Sequence, residues 1–438
     1  MSISQNPAYN LKAVLQETGI KADVLRAWER RYGLPMPQRT EGGHRLYSQR
    51  DIETIKWLIA RQNEGLSISR AVDRWRNIEA NSGDPLADAQ PAVNSAPLLQ
   101  DTTRTSLDVL RTEWLTACQA FSETLADQAL NHAFALYPVE TVCVEVLQHG
   151  LAEIGNLWYE GNATVQQEHF ASGLAMRRLD ALLAGSPPPT RYHTVLIGCP
   201  PQEWHTFTAL LLSLFLRRRG LNVIYLGANV PENRFYETVA SVHADLVVLV
   251  SQQLITAASL QQIAVSLSAG QVNIGFGGRI FSIQPDLAKT MAGHFLGDSL
   301  VSAVEKIEVL LAVRPEALHP VLPAAEYVET LNRFVAKRTL IEAELDESSK
   351  TLKIPLDYVY TANQFMGDNI VAALRLGKIT YLDAEINWLN TFLQGHRLPR
   401  DLVRRYLGMY ADALQVQLGG QAGPIVSWLE GQIKASED

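Results

Sequence analysis

Four short apolar runs separated by helical segments constrain the fold of this chain more than any other feature. The runs are "HTVLIGCP" at 193–200, "NVIYLG" at 222–227, "LVVLVS" at 246–251 and "VNIGFGG" at 272–278. Each run has the length of a strand, and helical periodicity follows it. Strands that alternate with helices in this way form βαβ units with parallel pairing. The sequence therefore predicts an α/β domain with a parallel sheet, which we place at 190–315.

Composition divides the remainder into four further segments. Residues 8–78 are basic and helical, whereas 79–103 are rich in Ala, Pro, Ser, Asn and Asp without an apolar period, which is typical of a linker. Residues 104–187 and 320–438 have helical periodicity with few helix breakers. The predicted fold class is multidomain: an all-α head, a four-helix bundle, a Rossmann-like α/β domain with a parallel sheet, and an all-α C-terminal domain.

Composition also excludes several classes of protein. Apolar residues make up 47% and charged residues 19% of the chain, as in globular domains. The three cysteines are isolated, which favours a reducing compartment over a disulfide framework. The first residues have no apolar signal core, and no apolar run reaches 18 residues, so we expect a cytoplasmic protein without a membrane partner. Since no nucleophile triad, Walker loop or metal-hydrolase motif is present, we do not expect an enzyme.

The charge of the chain is unevenly distributed. Residues 1–78 hold 13 Lys and Arg against 8 Asp and Glu, a net charge of +5, while the whole chain carries −8 and the remainder therefore −13. A basic head on an acidic body predicts that only the head contacts a polyanion. The alternative is a small helical domain with solvated surface arginines.

The basic head has the pattern of a helix, a turn at Gly19 and a second helix, followed by a Gly42-Gly43 turn. The second helix would enter the major groove of DNA, where arginine reads guanine or binds phosphate, and the residues around the glycine pair would form a wing on the DNA backbone. Ser48 is predicted to cap a helix that starts near Asp51. The candidate DNA-binding residues are Arg26, Arg30, Arg31, Arg39, His44, Arg45 and Tyr47.

The stretch "VLRAWERRYGLPMPQRTEGGHRLYSQRDI" at 24–52 closely resembles the winged helix-turn-helix of MerR-type transcriptional regulators. The resemblance covers about 70 residues of the chain. It implies binding to double-stranded promoter DNA as a homo-oligomer.

A histidine and three small residues stand where ligands bind in open α/β sheets, which is at the carboxyl ends of the strands. His205 follows the first strand, with Glu203 two residues earlier as a possible hydrogen-bond partner of the ring. Ser251 ends the third run, and Gly277 and Gly278 end the fourth, where glycine allows a bulky ligand to approach the backbone. These residues predict a deep slot with one imidazole at its mouth, although a solvated loop histidine is the simpler interpretation.

This arrangement resembles the cobalamin-binding Rossmann-type domain over about residues 190–312. The family motif Asp-x-His-x-x-Gly has its counterpart in "EWHTFT" at 203–208, with Glu for Asp and Thr208 for the glycine. The resemblance implies that His205 is the lower axial ligand of cobalt. It also implies that the nucleotide tail of cobalamin lies in the slot.

A third motif precedes the sheet. Trp158 is followed after nine residues by Glu168 and His169, a spacing that resembles the motif of light-dependent repressors of the CarH and LitR type. The resemblance implies that the three side chains line the upper face of adenosylcobalamin, with Trp158 on the adenosyl group and Glu168 at its ribose or adenine. Independently, an indole suits a nucleoside face and a carboxylate accepts hydroxyl protons. Tyr159 stands where those repressors have a cobalt-binding histidine.

The predicted function is that of a light-responsive transcriptional regulator. It binds promoter DNA through the head, senses light through photolysis of adenosylcobalamin, and changes its oligomeric state, either dimer or tetramer. One alternative is a regulator that senses cobalamin without light. Another is a photoreceptor with a second chromophore, a bilin, in the C-terminal domain, for which the candidate lining residues are Tyr358, Tyr360, Phe365, Trp388, His396 and Arg400.

Overall fold

A computed structural model describes most of the chain and divides it into two compact units, Met1–Thr103 and Arg104–Asp438. The described residues are 4, 6–40, 43, 45–63, 68–81, 85–86, 106–318, 320–352, 356–395 and 401–435. No helix within these ranges is long and apolar enough to cross a bilayer.

The first unit combines helices with a small antiparallel sheet whose strand order is β1-β3-β2. Helix α1 begins where the Asn10 side chain accepts the N–H of Ala13, and it ends at Gly19, which has a left-handed backbone. Ser48 and Asp51 cap α3 reciprocally through side chain and backbone, as predicted. The elements are β1 (Pro7–Asn10), α1 (Leu11–Thr18), α2 (Ala22–Tyr32), β2 (Gln38–Arg39), β3 (Arg45–Ser48), α3 (Gln49–Asn63) and α4 (Ile68–Asn81).

Four helical rods open the second unit. Hydroxyl side chains cap three of them at their N-termini, namely Ser106, Ser122 and Thr164. The third rod contains a π-helical turn at Cys143–Gln148, a distortion that is frequent at functional sites. The elements are α5 (Leu107–Gln119), α6 (Glu123–Leu136), α7 (Val139–Val142), which continues through the π-turn into α8 (His149–Tyr159), and α9 (Val165–Ala184).

A parallel sheet of five strands follows, with the order β5-β4-β6-β7-β8. The four predicted strands are present, and the short fifth strand was not predicted. Strand β4 pairs with β5 on one side and with β6 on the other. The strand order therefore reverses between β4 and β6, although all the strands are parallel. The elements are β4 (Thr194–Gly198), α10 (Phe207–Arg218), β5 (Asn222–Tyr225), α11 (Phe235–Ser241), β6 (Leu246–Val250), α12 (Leu254–Ser268), β7 (Ile274–Gly277), α13 (Arg279–Ile283), α14 (Pro285–Ala288), β8 (His294–Phe295) and α15 (Leu300–Val313).

The last part of the chain is helical, as predicted. Three short 3-10 turns, at Ser349–Leu352, Ile379–Leu382 and Gly419–Ala422, connect the helices. The helices are α16 (Ala325–Ser348), α17 (Leu356–Arg375), α18 (Asp383–Gly395), α19 (Leu402–Leu418) and α20 (Gly423–Ala435).

The two faces of the parallel sheet belong to two different hydrophobic cores. Along β4, Val195 and Ile197 pack into the core that the four helical rods share, whereas Leu196 points into the opposite core. That opposite core also contains α12 and the C-terminal helices, with Phe334 and Tyr410 fully buried in it. Alternation along a strand therefore places the sheet between the bundle and the C-terminal helices.

The multidomain fold class is confirmed, with two differences in detail. The head is not purely helical, because β1, β2 and β3 form a sheet in it. Within the predicted linker at 79–103, α4 continues to Asn81, and Leu86 is buried in the core of the head. Residues 87–105 lie outside the described residues, and the domain boundaries stay predictions.

Candidate functional site

The side chain of Glu203 is buried and fixed by four hydrogen bonds in the loop between β4 and α10. Its Oε1 accepts the N–H of His205 at 3.0 Å and contacts Nδ1 of the same imidazole at 2.8 Å. Its Oε2 accepts the N–H of Gln252 and the hydroxyl of Thr256, each at 2.7 Å. The last two donors lie at the N-terminus of α12, where a helix favours negative charge.

Because the carboxylate occupies Nδ1, the imidazole presents Nε2 to a ligand. The side chain of His205 is 63% exposed, while that of Glu203 is 0% exposed. The predicted pairing is therefore present in the structure. This carboxylate–histidine arrangement is the one that orients imidazoles toward metal ions in proteins.

Electrostatics favour an ionised carboxylate at this position. Burial raises the pKa of Glu203, but the hydrogen bonds from His205, Gln252 and Thr256 outweigh it and lower the pKa overall. The hydrogen bond to Glu203 raises the pKa of His205, and the charge of Glu168 raises it further. Glu168 lies on α9 of the bundle, so a charge of the bundle contributes to the pKa of His205.

A cavity of about 260 Å³ lies at the carboxyl ends of β6 and β7. It is next to the reversal between β4 and β6, the position at which open α/β sheets bind ligands. Gly277, Gly278 and Gln252 line it together with Thr208, the residue that replaces the glycine of the cobalamin motif. Gln148, from the π-turn of the bundle, closes the opposite side.

Ser251 lies between Val250 and Gln252, which line the slot, and its hydroxyl fits a polar ligand such as the nucleotide tail of cobalamin. The hydroxyl of Ser251 is fully buried and has no hydrogen-bond partner in the described part of the chain, and such a group is normally paired. Gly278 has a φ of +125°, and a Cβ there would lie 1.9 Å from the carbonyl oxygen of Ser251. Only glycine permits that approach, whereas a Cβ on Gly277 would meet open space.

The Trp-x9-Glu-His motif lies at the junction of α8 and α9. Trp158 is partly buried against the core shared by the bundle and the sheet. Glu168 accepts the hydroxyl of Ser172 at 2.6 Å and contacts Nδ1 of His169 at 2.7 Å. The side chain of His169 is 75% exposed, and its Nε2 is the nitrogen that remains available for a ligand.

The head presents its arginines on two elements. Arg26, Arg30 and Arg31 are exposed on α2, opposite the buried Leu25 and Trp28. The helix therefore has one basic face and one core face, as a DNA-reading helix requires.

The wing is a hairpin in which Arg39 on β2 stands directly opposite Arg45 on β3. Arg45 is held by Glu29 of α2 at 2.8 Å, while Arg39 is exposed. Tyr47 requires a correction, because it is 0% exposed and its hydroxyl donates to Glu29, so it braces the wing from within and does not reach the surface. His44 and Gly42 lie outside the described residues.

Three of the six candidate bilin-lining residues lie in the described part of the structure. Tyr358 and Tyr360 are 68% and 63% exposed on α17, and neither lines either of the two cavities described for this chain. Phe365 is partly buried on the same helix. The side chain of Trp388, and the residues His396 and Arg400, lie outside the described part of the structure.

Four residues of the site were missed by sequence reasoning. Thr256 and Gln252 hold Glu203 from the next loop, Arg279 follows the glycine pair, and Gln148 reaches the slot from the bundle. Gln252 and Arg279 adjoin predicted residues at strand ends, which was a usable signal. Nothing in the sequence around Gln148 indicated that it reaches the slot.

Comparison with known proteins identifies the domains of this chain. Residues 9–75 match the MerR HTH family of regulatory proteins, and 110–183 and 193–299 each match a B12 binding domain. The chain is 32% identical to the HTH-type transcriptional repressor CarH of Myxococcus xanthus over 239 residues, 55% of this chain and 77% of the relative. It is 31% identical to the repressor CarA of the same organism over 242 residues, 55% and 75% of the two chains.

A solved structure, the monomethylamine corrinoid protein of Methanosarcina barkeri, aligns with a TM-score of 0.39 at 16% identity. The alignment covers 46% of this chain and 96% of that one.

Proposed function

We propose that this chain, which belongs to the family of the HTH-type transcriptional repressor CarH, senses light through adenosylcobalamin and controls transcription accordingly. That it is a B12-binding, MerR-type transcriptional regulator follows from its family and its matching domains. The observation that carries the proposal is the Glu203–His205 pair, whose carboxylate accepts the N–H of Gln252 from the lining of the slot. As a regulator it needs no catalytic group.

His205 would hold cobalt from below through Nε2. Glu203 keeps the ring in one orientation and one tautomer, and the donors at the start of α12 keep Glu203 ionised. The buried hydroxyl of Ser251 would take its missing partner from the nucleotide tail, and Gly277, where a Cβ would meet open space, leaves room for that tail beside the sheet.

The residues of the α8–α9 junction would hold the upper, adenosyl group. Adenosylcobalamin supplies a cobalt–carbon bond that visible light cleaves. Trp158 offers a flat apolar face to a nucleoside, Glu168 accepts protons from ribose hydroxyls, and His169 completes the pocket. A methyl-sized upper group would make few contacts with these side chains, which favours the adenosyl form.

The chain responds through the contacts that these side chains gain and lose. A bound adenosyl group would contact the side chains of the α8–α9 junction, and these contacts would be lost when the group leaves. The difference in contacts would give a two-state switch. A change of oligomer follows from this switch, and it alters DNA affinity because linked heads bind DNA far better than one head. Because residue 159 is a tyrosine, this position would offer a phenol and not an imidazole to cobalt.

On DNA, α2 would read the major groove through Arg26, Arg30 and Arg31. Arg39 and Arg45 would contact the phosphate backbone from the wing. Glu29, which is bonded to Arg45, links the reading helix to the wing and so keeps the two contact surfaces in register.

The decisive experiment is an absorption spectrum of the full chain with adenosylcobalamin, in darkness and after green light, together with size-exclusion chromatography. We expect a nitrogen-ligated cobalt spectrum in the dark, a spectral change on illumination and a shift in elution volume. In His205→Ala the nitrogen-ligated spectrum should be lost, whereas in His132→Ala, an exposed histidine of α6, it should be retained.

Two results would redirect the proposal. A stable dark complex that light does not change would favour the light-independent cobalamin sensor. A visible complex with added biliverdin in the absence of cobalamin would favour the bilin alternative, none of whose described candidate residues lines the slot or the second cavity, of about 440 Å³, at α12, α16 and α17.

A further inference from the structure

A chain of hydrogen bonds leads from the imidazole of His205 to residues that line the slot. The imidazole contacts Glu203 Oε1 at 2.8 Å, and the N–H of Gln252 donates to Glu203 Oε2 at 2.7 Å. The side chain of Gln252 continues the chain, because its Oε1 accepts the N–H of Arg279 at 2.9 Å. Gln252 therefore joins the loop after β6 to the turn after β7.

The two groups of Gln252 are chemically separable. Its backbone N–H binds the carboxylate, and its side chain binds the turn that contains Gly278 and Arg279. A second bond, from the N–H of Ser251 to the carbonyl of Gly277 at 3.0 Å, holds the same two loops together. Substitution of the Gln252 side chain thus leaves the bond to Glu203 in place, removes the connection to Arg279 and changes one residue of the slot lining.

The turn after β7 is in turn anchored to the C-terminal helices by α13. Gln284 follows this helix and donates from Nε2 to the carbonyl of Tyr381 at 2.7 Å. Phe281, within the helix, is fully buried in the core that contains the C-terminal helices. At the other end, burial raises the pKa of Glu385 of α18, and the positive charge of Arg279 opposes that rise.

We propose that Gln252 is a positioning residue, through which the C-terminal helices set the orientation of the cobalt-binding imidazole. The inference rests on the proposed function, since it takes His205 as the cobalt ligand. A displacement of α13 moves the N–H of Arg279, the Gln252 side chain follows it, and the carboxylate that aligns His205 moves with the loop. The C-terminal helices thereby act on cobalt ligation without touching the cofactor.

The test uses the full chain with adenosylcobalamin in darkness and reads the lower ligand by absorption. The same ligand is read in the cobalt(II) form by the nitrogen splitting of its electron paramagnetic resonance. In Gln252→Met, which keeps the length but not the acceptor, we expect partial loss of nitrogen ligation and about a 10-fold rise in the dissociation constant. Gln252→Glu retains an acceptor and should restore ligation. Gln271→Met, exposed beyond the far end of α12, is the matched control and should behave as the unaltered chain.

The second arm tests the route from the C-terminal helices. Gln284→Met removes the bond to Tyr381 and should change the nitrogen-ligated fraction in the same direction. If the two residues act along one route, the double variant should lose little more than Gln252→Met alone.

The possible outcomes separate a failure of the proposed function from a failure of the positioning role. If the unaltered chain binds no cobalamin, or binds it without a nitrogen ligand, the proposed function fails and this inference falls with it. If it binds normally and Gln252→Met matches it, with folding verified by circular dichroism, the positioning role is refuted while the function stands. Independent, multiplicative effects of Gln252→Met and Gln284→Met would refute the connection to the C-terminal helices.

Discussion

Replacement of Gly278 by alanine should destabilise the larger unit even without cofactor. The added Cβ would lie 1.9 Å from the carbonyl oxygen of Ser251, about 1.5 Å short of ordinary van der Waals contact, and both partners are backbone, which cannot rotate away. The φ of +125° costs a non-glycine residue about 1–3 kcal/mol, and overpacking costs about 1–3 kcal/mol more. We therefore expect a loss of about 2–6 kcal/mol, and a fall in melting temperature of about 3–9 °C.

The neighbouring glycine provides the matched control. Gly277 is not among the described residues with a positive φ, and a Cβ there would meet nothing within 4 Å. Gly277→Ala should consequently melt close to the unaltered chain. Because Gly277 lines the slot, the same variant should bind cobalamin more weakly.

The assay is thermal unfolding of the cofactor-free chains by circular dichroism, followed by titration with adenosylcobalamin in the dark. Equal melting temperatures for Gly278→Ala and the unaltered chain would contradict the close approach of the two loops. Unchanged cobalamin affinity in Gly277→Ala would show that the tail does not lie against this strand end.

Three further predictions concern other parts of the chain. Arg30→Ala should weaken operator binding and, if the side chain contacts phosphate, lower the salt slope by about 1 in electrophoretic mobility shifts over a salt series; unaltered binding would move the reading surface elsewhere. Glu29→Gln should cost the head about 1–3 kcal/mol, because it weakens the bonds to Arg45 and Tyr47, and should speed hydrogen exchange in α2; equal exchange rates would contradict the bracing role. Burial raises the pKa of Glu385, so the unaltered chain loses stability as pH rises from the ordinary glutamate pKa through the raised folded value. Glu385→Gln should therefore melt higher than the unaltered chain at pH 7 but equally near pH 4. A difference in melting temperature that is independent of pH would refute this.

Local patterns predicted what is determined locally. The apolar runs identified β4 to β7, because buried parallel strands are apolar on both faces. His205 and the glycine pair could be found because they directly follow strands, where ligands bind. Gly19 and Ser48 act as predicted because turn and cap chemistry involve neighbours in sequence.

Contacts between distant residues were not predictable in this way. The bridge from Gln252 to Arg279 spans 27 residues, and nothing in the local sequence specifies which loop a glutamine meets. Tyr47 was misplaced on the surface because a four-residue strand is too short to show which of its alternating faces is buried. The π-turn that brings Gln148 to the slot inserts a shift into an otherwise regular helical period.

The hydrophobic core that α12 shares with the C-terminal helices has a consequence for biosynthesis. On the ribosome, α12 emerges roughly 150 residues before α20, which at about 5–20 residues per second leaves its apolar side uncovered for about 10–30 s. During that interval the nascent sheet can already fold against the bundle, but its other side has no cover. Expression vectors that stop before α16 would make this transient exposure permanent, so such shortened products should aggregate where the whole chain does not.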